Sequence, residues 1–380
     1  MTSTGGGYGK TLISEETSKR ITSLRFLLAV LVVFIHNNYT AEDIAEAVAL
    51  GGAEVLFNQN AFGRWVQLFI SGGIARCVLP LFFLFAAYLQ ARKNDSYGVL
   101  IKKKSKSLVV PFFLWMLIYG FYFVGVKLIV VKIAPQFLQN PDSTALSWSF
   151  LDWVHKVFGY GTPAGLGDGN PEFAMQFWFV RDLIIFTVLS PVFINLIKRF
   201  PVALLALFWI FASCSVNAYL PYVLFYYILG LYLGFYDINF FEKVDKIKWI
   251  ESIFLFVLLF IVCNFIEITF LLTFLSSCLT FVTCVLILKF SLVIVRSEKL
   301  FNAAKYLSVF SFWLYAIHMP VLKDLLTRVW LKFLPMKNPF FCLAEYFGVT
   351  VLIIATGLAL GIALKKIFPK VFSLLTGGRG

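Results

Sequence analysis

Arg25 and His36 bracket the apolar run RFLLAVLVVFIH in a chain that has only three histidines, and a charged and a titratable group at the ends of one such run ask for a chemical reason. An imidazole with its usual pKa of ~6.5 is largely neutral near pH 7, so it can take a proton from a hydroxyl or act as a nucleophile. A guanidinium can grip phosphate oxygens or steady the negative oxygen of an attacked carbonyl. The same residue types recur in apolar surroundings at Arg76, at Arg181 and Asp182 in QFWFVRDLIIF, and at His318 in SVFSFWLYAIHMPV. In that last stretch Ser311, Tyr315 and His318 follow one another by four and three residues along one helical stripe. Lys102, Lys103, Lys104 and Lys106, in KKKSK, form a dense basic cluster. Such a cluster can dock a phosphorylated cosubstrate, or it can simply fix topology and touch anionic lipid.

The segments that must carry these groups are set by composition. Of 380 residues 60% are hydrophobic, only 14% are charged, and 44 are phenylalanine, more apolar surface than a soluble fold can hide. The expectation is an all-α integral membrane protein. Apolar runs predict about ten transmembrane helices, near 21–38, 66–90, 107–131, 173–197, 201–218, 221–236, 249–266, 268–295, 306–326 and 341–364. A flexible tail at 1–20, one membrane domain at 21–366 and a short tail at 367–380 account for the chain, with the first run serving as a start-transfer helix rather than a removed signal. The net charge of +13 does not point to nucleic acid, because the basic residues are not gathered on one face. They alternate between inter-helix segments, 22 of the 33 falling on the side that includes both termini, which places both termini in the cytoplasm. The six cysteines have neither zinc-type nor disulfide-type spacing, so no metal site is expected.

With that orientation Arg25 lies near the inner end of the first helix and His36 about 16 Å further out, on roughly the same side. Both can serve one interior channel, or both can snorkel to opposite headgroup layers. Arg76 lies too deep for easy snorkelling, and a charge at a span centre costs at least about 2.5–3.5 kcal/mol on insertion scales. Arg181 enters from outside and can face the same cavity as His36; Asp182 reads better as a neutralising partner. His318, in the outer half of the ninth run, is either a hydrogen-bonded packing residue or part of the site. His155, beside Asp152 and Lys156, reads as solvated. The outer loop from Lys132 to Glu172 mixes Pro, Gly and Asp with Trp148, Trp153 and Tyr160, and long loops beside a membrane site are often functional.

Several stretches in order resemble the acyltransferase family 3 membrane proteins. RFLLAVLVVFIH is similar to that family's first signature, LPLFFLFAAYLQARK to its second helix, KKKSKSLVVPFFLWMLIY to its basic turn and proline-led third helix, FWFVRDLI to its fourth and SFWLYAIHMPVL to its ninth. The resemblance implies transfer of an acyl group, mostly acetyl, to hydroxyls of cell-envelope sugars. It makes His36 the catalytic histidine and Arg25 its partner, and brings Arg181 less firmly into the site. One departure is that Ala86 and Ala87 precede Tyr88 where the family usually has Ser-Gly. The chain also ends soon after its tenth run, so no appended second acyl-transfer domain is expected.

On that basis acyl-CoA, acetyl-CoA in the simplest case, is the expected cosubstrate, with no tightly bound cofactor. Arg25 and the lysines at 102, 103, 104 and 106 would hold its phosphates, and His36 would serve as base or transient acyl carrier. Arg76, Arg181, Asp182 and His318 are candidates for the oxyanion or donor site, and Trp148, Trp153 and Tyr160 for holding the sugar. The expected partners are membrane lipids, acyl-CoA and a sugar or glycan acceptor, in a multi-pass protein of the cytoplasmic membrane. A transporter or flippase, or an inert recruiting module, would use ten helices and intramembrane arginines as well. The acceptor, the choice of acetyl over succinyl and the oligomeric state are open.

Overall fold

A computed structural model describes residues 13–37, 61–93, 95–133, 149–159, 173–215, 219–334 and 339–379. Among these residues every regular element is helical. In chain order α1 is Glu15–His36, α2 Ala61–Gln67, α3 Val78–Arg92, α4 Tyr97–Lys104, α5 Val110–Ile133, α6 Phe150–Phe158, α7 Trp178–Arg199 and α8 Pro201–Cys214. Then follow α9 Tyr219–Phe235, α10 Phe240–Asp245, α11 Trp249–Cys263, α12 Thr269–Arg296, α13 Glu298–Ser308, α14 Ser311–Ile317, α15 Lys323–Phe333, α16 Pro339–Ile367 and α17 Pro369–Leu375.

Helices therefore lie at each of the ten positions expected from the apolar runs. Five described stretches are long and apolar enough to cross a membrane, or up to six if the bent pair at 298–333 is one span, while α8, α9 and α11 are apolar but shorter. α1 begins with charge instead: Glu15 and Glu16 sit in its first turn, Ser14 Oγ accepts from the Thr17 amide at 3.2 Å, and Lys19 pairs with Glu15 at 2.6 Å. Acidic residues and a serine cap are what the positive end of a helix favours.

Three stretches depart from straight helices. KKKSK does not precede the third helix but runs into it, from α4 through a π turn at Ser105–Val109 to α5, because lysine is a good helix former and the π turn lies just ahead of Pro111. Ahead of α3, a π turn at Leu68–Gly73 and a 3-10 turn at Ile74–Cys77 replace the expected regular start. The ninth run breaks after α14. Met319 is extended (φ −145°, ψ 166°), its bond to Pro320 is cis, and a π turn at His318–Leu322 links α14 to α15; the 49° bend of this run lies earlier, between Ser308 and Ser311. Proline lacks the amide and the space a continuous helix needs.

Inside a bilayer, helices associate through close packing and polar bonds rather than by escaping water. One close approach is that of α3 to α9, through GLYLG. A methyl group at Gly230 would lie 2.4 Å from the Leu84 carbonyl and 2.9 Å from Ala87 Cβ, and one at Gly234 would lie 2.7 Å from the Tyr88 carbonyl. Ala87 thus faces a glycine, and the Ala86-Ala87 pair is accommodated by small residues on the opposite helix. On the other side of the bundle Ala29, Val33, Leu314, Val349 and Ile353 form a small core that joins α1, α14 and α16.

Candidate functional site

α1 carries two arginines with opposite surroundings. Arg20 is 1% exposed and its donors are satisfied: Nη1 and Nη2 reach Asp245 at 2.5 and 2.9 Å, Nε reaches Ser291 Oγ at 2.8 Å, and Nη2 also reaches the Leu288 carbonyl at 2.8 Å. Its guanidinium stacks over Phe241 at 4.2 Å. Arg25, five residues on, has no hydrogen bond or ion pair with any described residue. A guanidinium left without a partner in an apolar bundle is the kind of group that waits for an anion.

At the far end of α1 the backbone is pinned. The Asn37 side chain donates to the Tyr346 carbonyl at 3.0 Å and to Thr350 Oγ1 at 3.2 Å, and Ser71 Oγ donates to the Phe34 carbonyl at 2.8 Å. Ser71 also bonds the Tyr346 hydroxyl at 2.7 Å. Between these anchors the ring of His36 lies 5.2 Å from the ring of His318, centroid to centroid. Two of the chain's three histidines, 282 positions apart in sequence, therefore face each other.

His318 is held in one tautomer. Its Nδ1 is 2.7 Å from the Tyr315 carbonyl, which can only accept, so Nδ1 carries the hydrogen. That leaves Nε2 a bare lone pair, buried and without a partner among the described residues. The helix break next to it is clamped: the carbonyls of Ala316 and Met319 each accept from both the Tyr119 hydroxyl (2.8 and 3.0 Å) and Gln176 Nε2 (3.0 and 2.6 Å). The Tyr315 hydroxyl in turn donates to the Gln176 carbonyl. Lys323, the first residue of α15, is the cation whose field reaches both imidazoles.

The other candidates sit on other elements. Arg181 is buried, with Nε on Asp182 at 2.9 Å and Nη1 on the Phe158 carbonyl at 2.6 Å, so it ties α7 to the end of α6. Asp182, fully buried, acts electrostatically on Tyr315 from behind the clamp. Arg76 occupies the 3-10 turn, where its carbonyl accepts from the Tyr222 hydroxyl at 3.4 Å; its charge acts on Tyr222 and Cys263, on α9 and α11 rather than α14. Lys103 pairs with Asp95 at 2.6 Å, Lys102 and Lys106 are exposed, and Lys104 turns partly inward. Trp153 lies on α6, 6.0 Å from Phe173, with 38% of its surface exposed. α6 itself sits inside the stretch read as irregular loop, and starts at a capping box between Ser149 and Asp152. Trp148 and Tyr160 lie outside the described residues.

Sequence reasoning passed over Tyr119, Gln176 and Lys323, and treated Arg20 as a topology signal. The polar residues at 119 and 176 could have been found by asking what satisfies the carbonyls freed by Pro320.

The family model for the acyltransferase domain called Acyl_transf_3 matches residues 19–365. The chain belongs to the acyltransferase family 3. It is also similar to the succinoglycan biosynthesis protein ExoH of Rhizobium meliloti (strain 1021), with 27% identity over 203 residues, a match that spans 51% of this chain and 47% of that relative. No solved structure matches. This acyltransferase-family chain is thus helical throughout its described residues, with several helices able to cross a membrane.

Proposed function

We propose that this protein transfers an acyl group, acetyl in the simplest case, from cytoplasmic acyl-CoA to a hydroxyl of a cell-envelope sugar or glycan, with the acceptor meeting the donor at the His36–His318 pair. The observation that carries the proposal is the meeting itself: an imidazole at the end of α1 with no hydrogen bond among the described residues, 5.2 Å from one whose Nε2 lone pair is fixed toward no described partner. The name of the relative, a succinoglycan biosynthesis protein, supports a polysaccharide as acceptor.

In this mechanism the acceptor hydroxyl gives its proton to His36 while its oxygen bonds to the thioester carbon. The tetrahedral intermediate collapses with cleavage of the C–S bond, and the departing sulfur takes the proton back from the imidazolium. His318 Nε2 accepts a hydrogen bond from a neighbouring hydroxyl of the acceptor and so orients the reacting one. Lys323 supplies positive charge for the developing oxyanion, where a well-placed donor in a dry site is worth about 2.7–4 kcal/mol. Should His36 instead carry the acyl group in transit, the kinetics are ping-pong rather than sequential.

The ten-span arrangement with both termini in the cytoplasm belongs to this proposal, because it puts Arg25 on the side where acyl-CoA is made. The test is His36→Ala in purified, membrane-inserted protein. Transfer from acetyl-CoA should fall by about 10²- to 10⁴-fold, the usual contribution of a general base. Undiminished transfer overturns the assignment. Mass spectrometry of envelope glycans with and without the gene identifies the acyl group by its added mass.

A further inference from the structure

After α16 the chain turns back on itself instead of trailing away. Pro369 opens α17, and Phe372, fully buried, lodges against Phe310 and Trp313 with ring centroids 5.6 and 5.8 Å away. Trp115 Nε1 donates to the Leu375 carbonyl at 3.1 Å, which ties the turn to α5. Gly377 then takes a left-handed conformation (φ +66°) so close to the π turn that a methyl group there would lie 2.3 Å from the Ser107 carbonyl. Only glycine meets both demands. These contacts form a fixed hook, and its end carries Arg379.

The Arg379 guanidinium lies 4.5 Å over the ring of Phe312 on α14. From Phe312 a ladder of rings leads to the histidine pair: Phe312 to Tyr315 at 5.8 Å, Tyr315 to His318 at 6.2 Å, and His318 to His36 at 5.2 Å. Ser107, which touches Gly377, is three residues from Lys104, so the hook also brings Arg379 beside the inward-turned lysine of KKKSK. Arg379 keeps an open face while protein surrounds it, and burial first, then the charge of Arg25, push its pKa down to about 10. Neither Arg25, Lys104 nor Arg379 has a carboxylate within ion-pair distance among the described residues. Three cations gathered without a counter-charge repel one another, and an anion bound among them removes that repulsion.

We propose that the hook at the end of the chain is part of the donor site, and that Arg379, with Arg25 and Lys104, seats the phosphate groups of a coenzyme A thioester at the foot of the ring ladder that leads to His36 and His318. The proposal rests on the acyl-CoA reading above and adds a binding residue to it. A thioester arm running along the ladder would carry the acyl carbon from the cationic end to the imidazole end. The same phosphate chemistry could come from an anionic lipid headgroup, so the lipid must be controlled.

The full-length protein is placed in nanodiscs of phosphatidylcholine alone, and in a second set containing phosphatidylglycerol. Binding of acetyl-CoA and of 3′-dephospho-acetyl-CoA is measured for the wild type, Arg379→Gln and Arg379→Lys. In phosphatidylcholine, Arg379→Gln should weaken acetyl-CoA binding by about 10- to 100-fold, the range for one charge-assisted hydrogen bond. Arg379→Lys should recover part of it, and the KM for acetyl-CoA should rise with little change in kcat. A smaller effect of Arg379→Gln on the dephospho compound would assign the guanidinium to the 3′-phosphate, and an equal effect to the diphosphate. Equal binding of acetyl-CoA by the wild type and Arg379→Gln overturns the seat and leaves acyl transfer standing, as does a loss confined to phosphatidylglycerol discs. No acetyl-CoA binding by the wild type overturns the donor reading and this seat with it.

Discussion

Arg20 and Arg25 lie on the same helix, and replacing each with methionine should have opposite consequences. Arg20→Met removes four hydrogen bonds at once and leaves the Asp245 carboxylate, the Ser291 hydroxyl and the Leu288 carbonyl short of a donor. Breaking a buried ion pair by removing one partner destabilises by about 3–5 kcal/mol. Asp245 keeps 29% of its side chain exposed, so water can reach it and the lower end, about 3 kcal/mol, applies. Arg25→Met removes a guanidinium with no described partner, so nothing is orphaned and the uncompensated charge disappears. Its stability should stay level or rise, while transfer from acyl-CoA should fall about 10- to 100-fold through loss of a charge-assisted contact to the donor. Thermal unfolding in detergent can be followed with a thiol-reactive dye, because Cys77, Cys284 and Cys342 are buried free thiols that react only when the bundle opens. A second variant, Arg20→Met with Asp245→Leu, should recover part of the lost stability, since both charges are then gone. If Arg25→Met unfolds as early as Arg20→Met, or if Arg20→Met melts like the wild type, the division of the two arginines into one that holds the fold and one that waits for a ligand is refuted.

Two further outcomes test the fold around the site. Gly230→Ala puts a methyl group 2.4 Å from the Leu84 carbonyl, so α3 and α9 must separate; the cost is about 1–3 kcal/mol by the same melt, whereas Gly98→Ala, where nothing lies within 4 Å, should be neutral or stabilising. The Asp152 carboxyl, held below its ordinary 3.8 chiefly by the hydrogen bonds from Ser149, lends the start of α6 a cap that is fully present above that value and is lost as pH falls through the depressed folded pKa. Hydrogen exchange of the α6 amides should therefore speed up only in acid below the ordinary carboxylate range, and Ser149→Ala should move that onset toward higher pH.

Where the bundle's helices lie was legible because apolar length is a one-dimensional property: a stretch such as 269–296 announces itself without reference to its neighbours. Counting residues put His36 at the end of the first run and His318 within the ninth; that their rings meet is a finding of the structure. What counting cannot supply is which helices are neighbours. That Arg20 reaches α10 and α12 while Arg25 finds no hydrogen-bond or ion-pair partner among the described residues depends on side-by-side placement, and two arginines five residues apart look alike in the sequence. Pro320 was visible, but reading 306–326 as one span ignored the carbonyls a proline frees, and with them the need for Tyr119 and Gln176. The hook was hidden for a simpler reason. Its short turn is held by Phe372 and Gly377, which do not stand out in a terminal stretch, and by the indole of Trp115 on α5, far off in sequence.

The polar groups of this bundle can be sorted by whether the protein itself satisfies them. In a medium without water each donor and acceptor must find a partner within the protein or remain costly. Lys289 donates to the Val244 and Ile247 carbonyls, Arg181 to Asp182 and the Phe158 carbonyl, and Arg20 to Asp245, so these charges cross-link neighbouring segments. Arg25, Arg379 and His318 Nε2 lack a charged or hydrogen-bonded partner of that kind among the described residues, apart from the single bond from Arg379 to the Thr376 carbonyl at 3.3 Å. These three lie at the two ends of one ring ladder, while other buried polar atoms without a partner among the described residues, such as Gln67 Nε2 and Ser213 Oγ, lie elsewhere in the bundle. Cations at one end and an open imidazole lone pair at the other suit a ligand that is anionic at its foot and reactive at its tip, as the proposed donor would be.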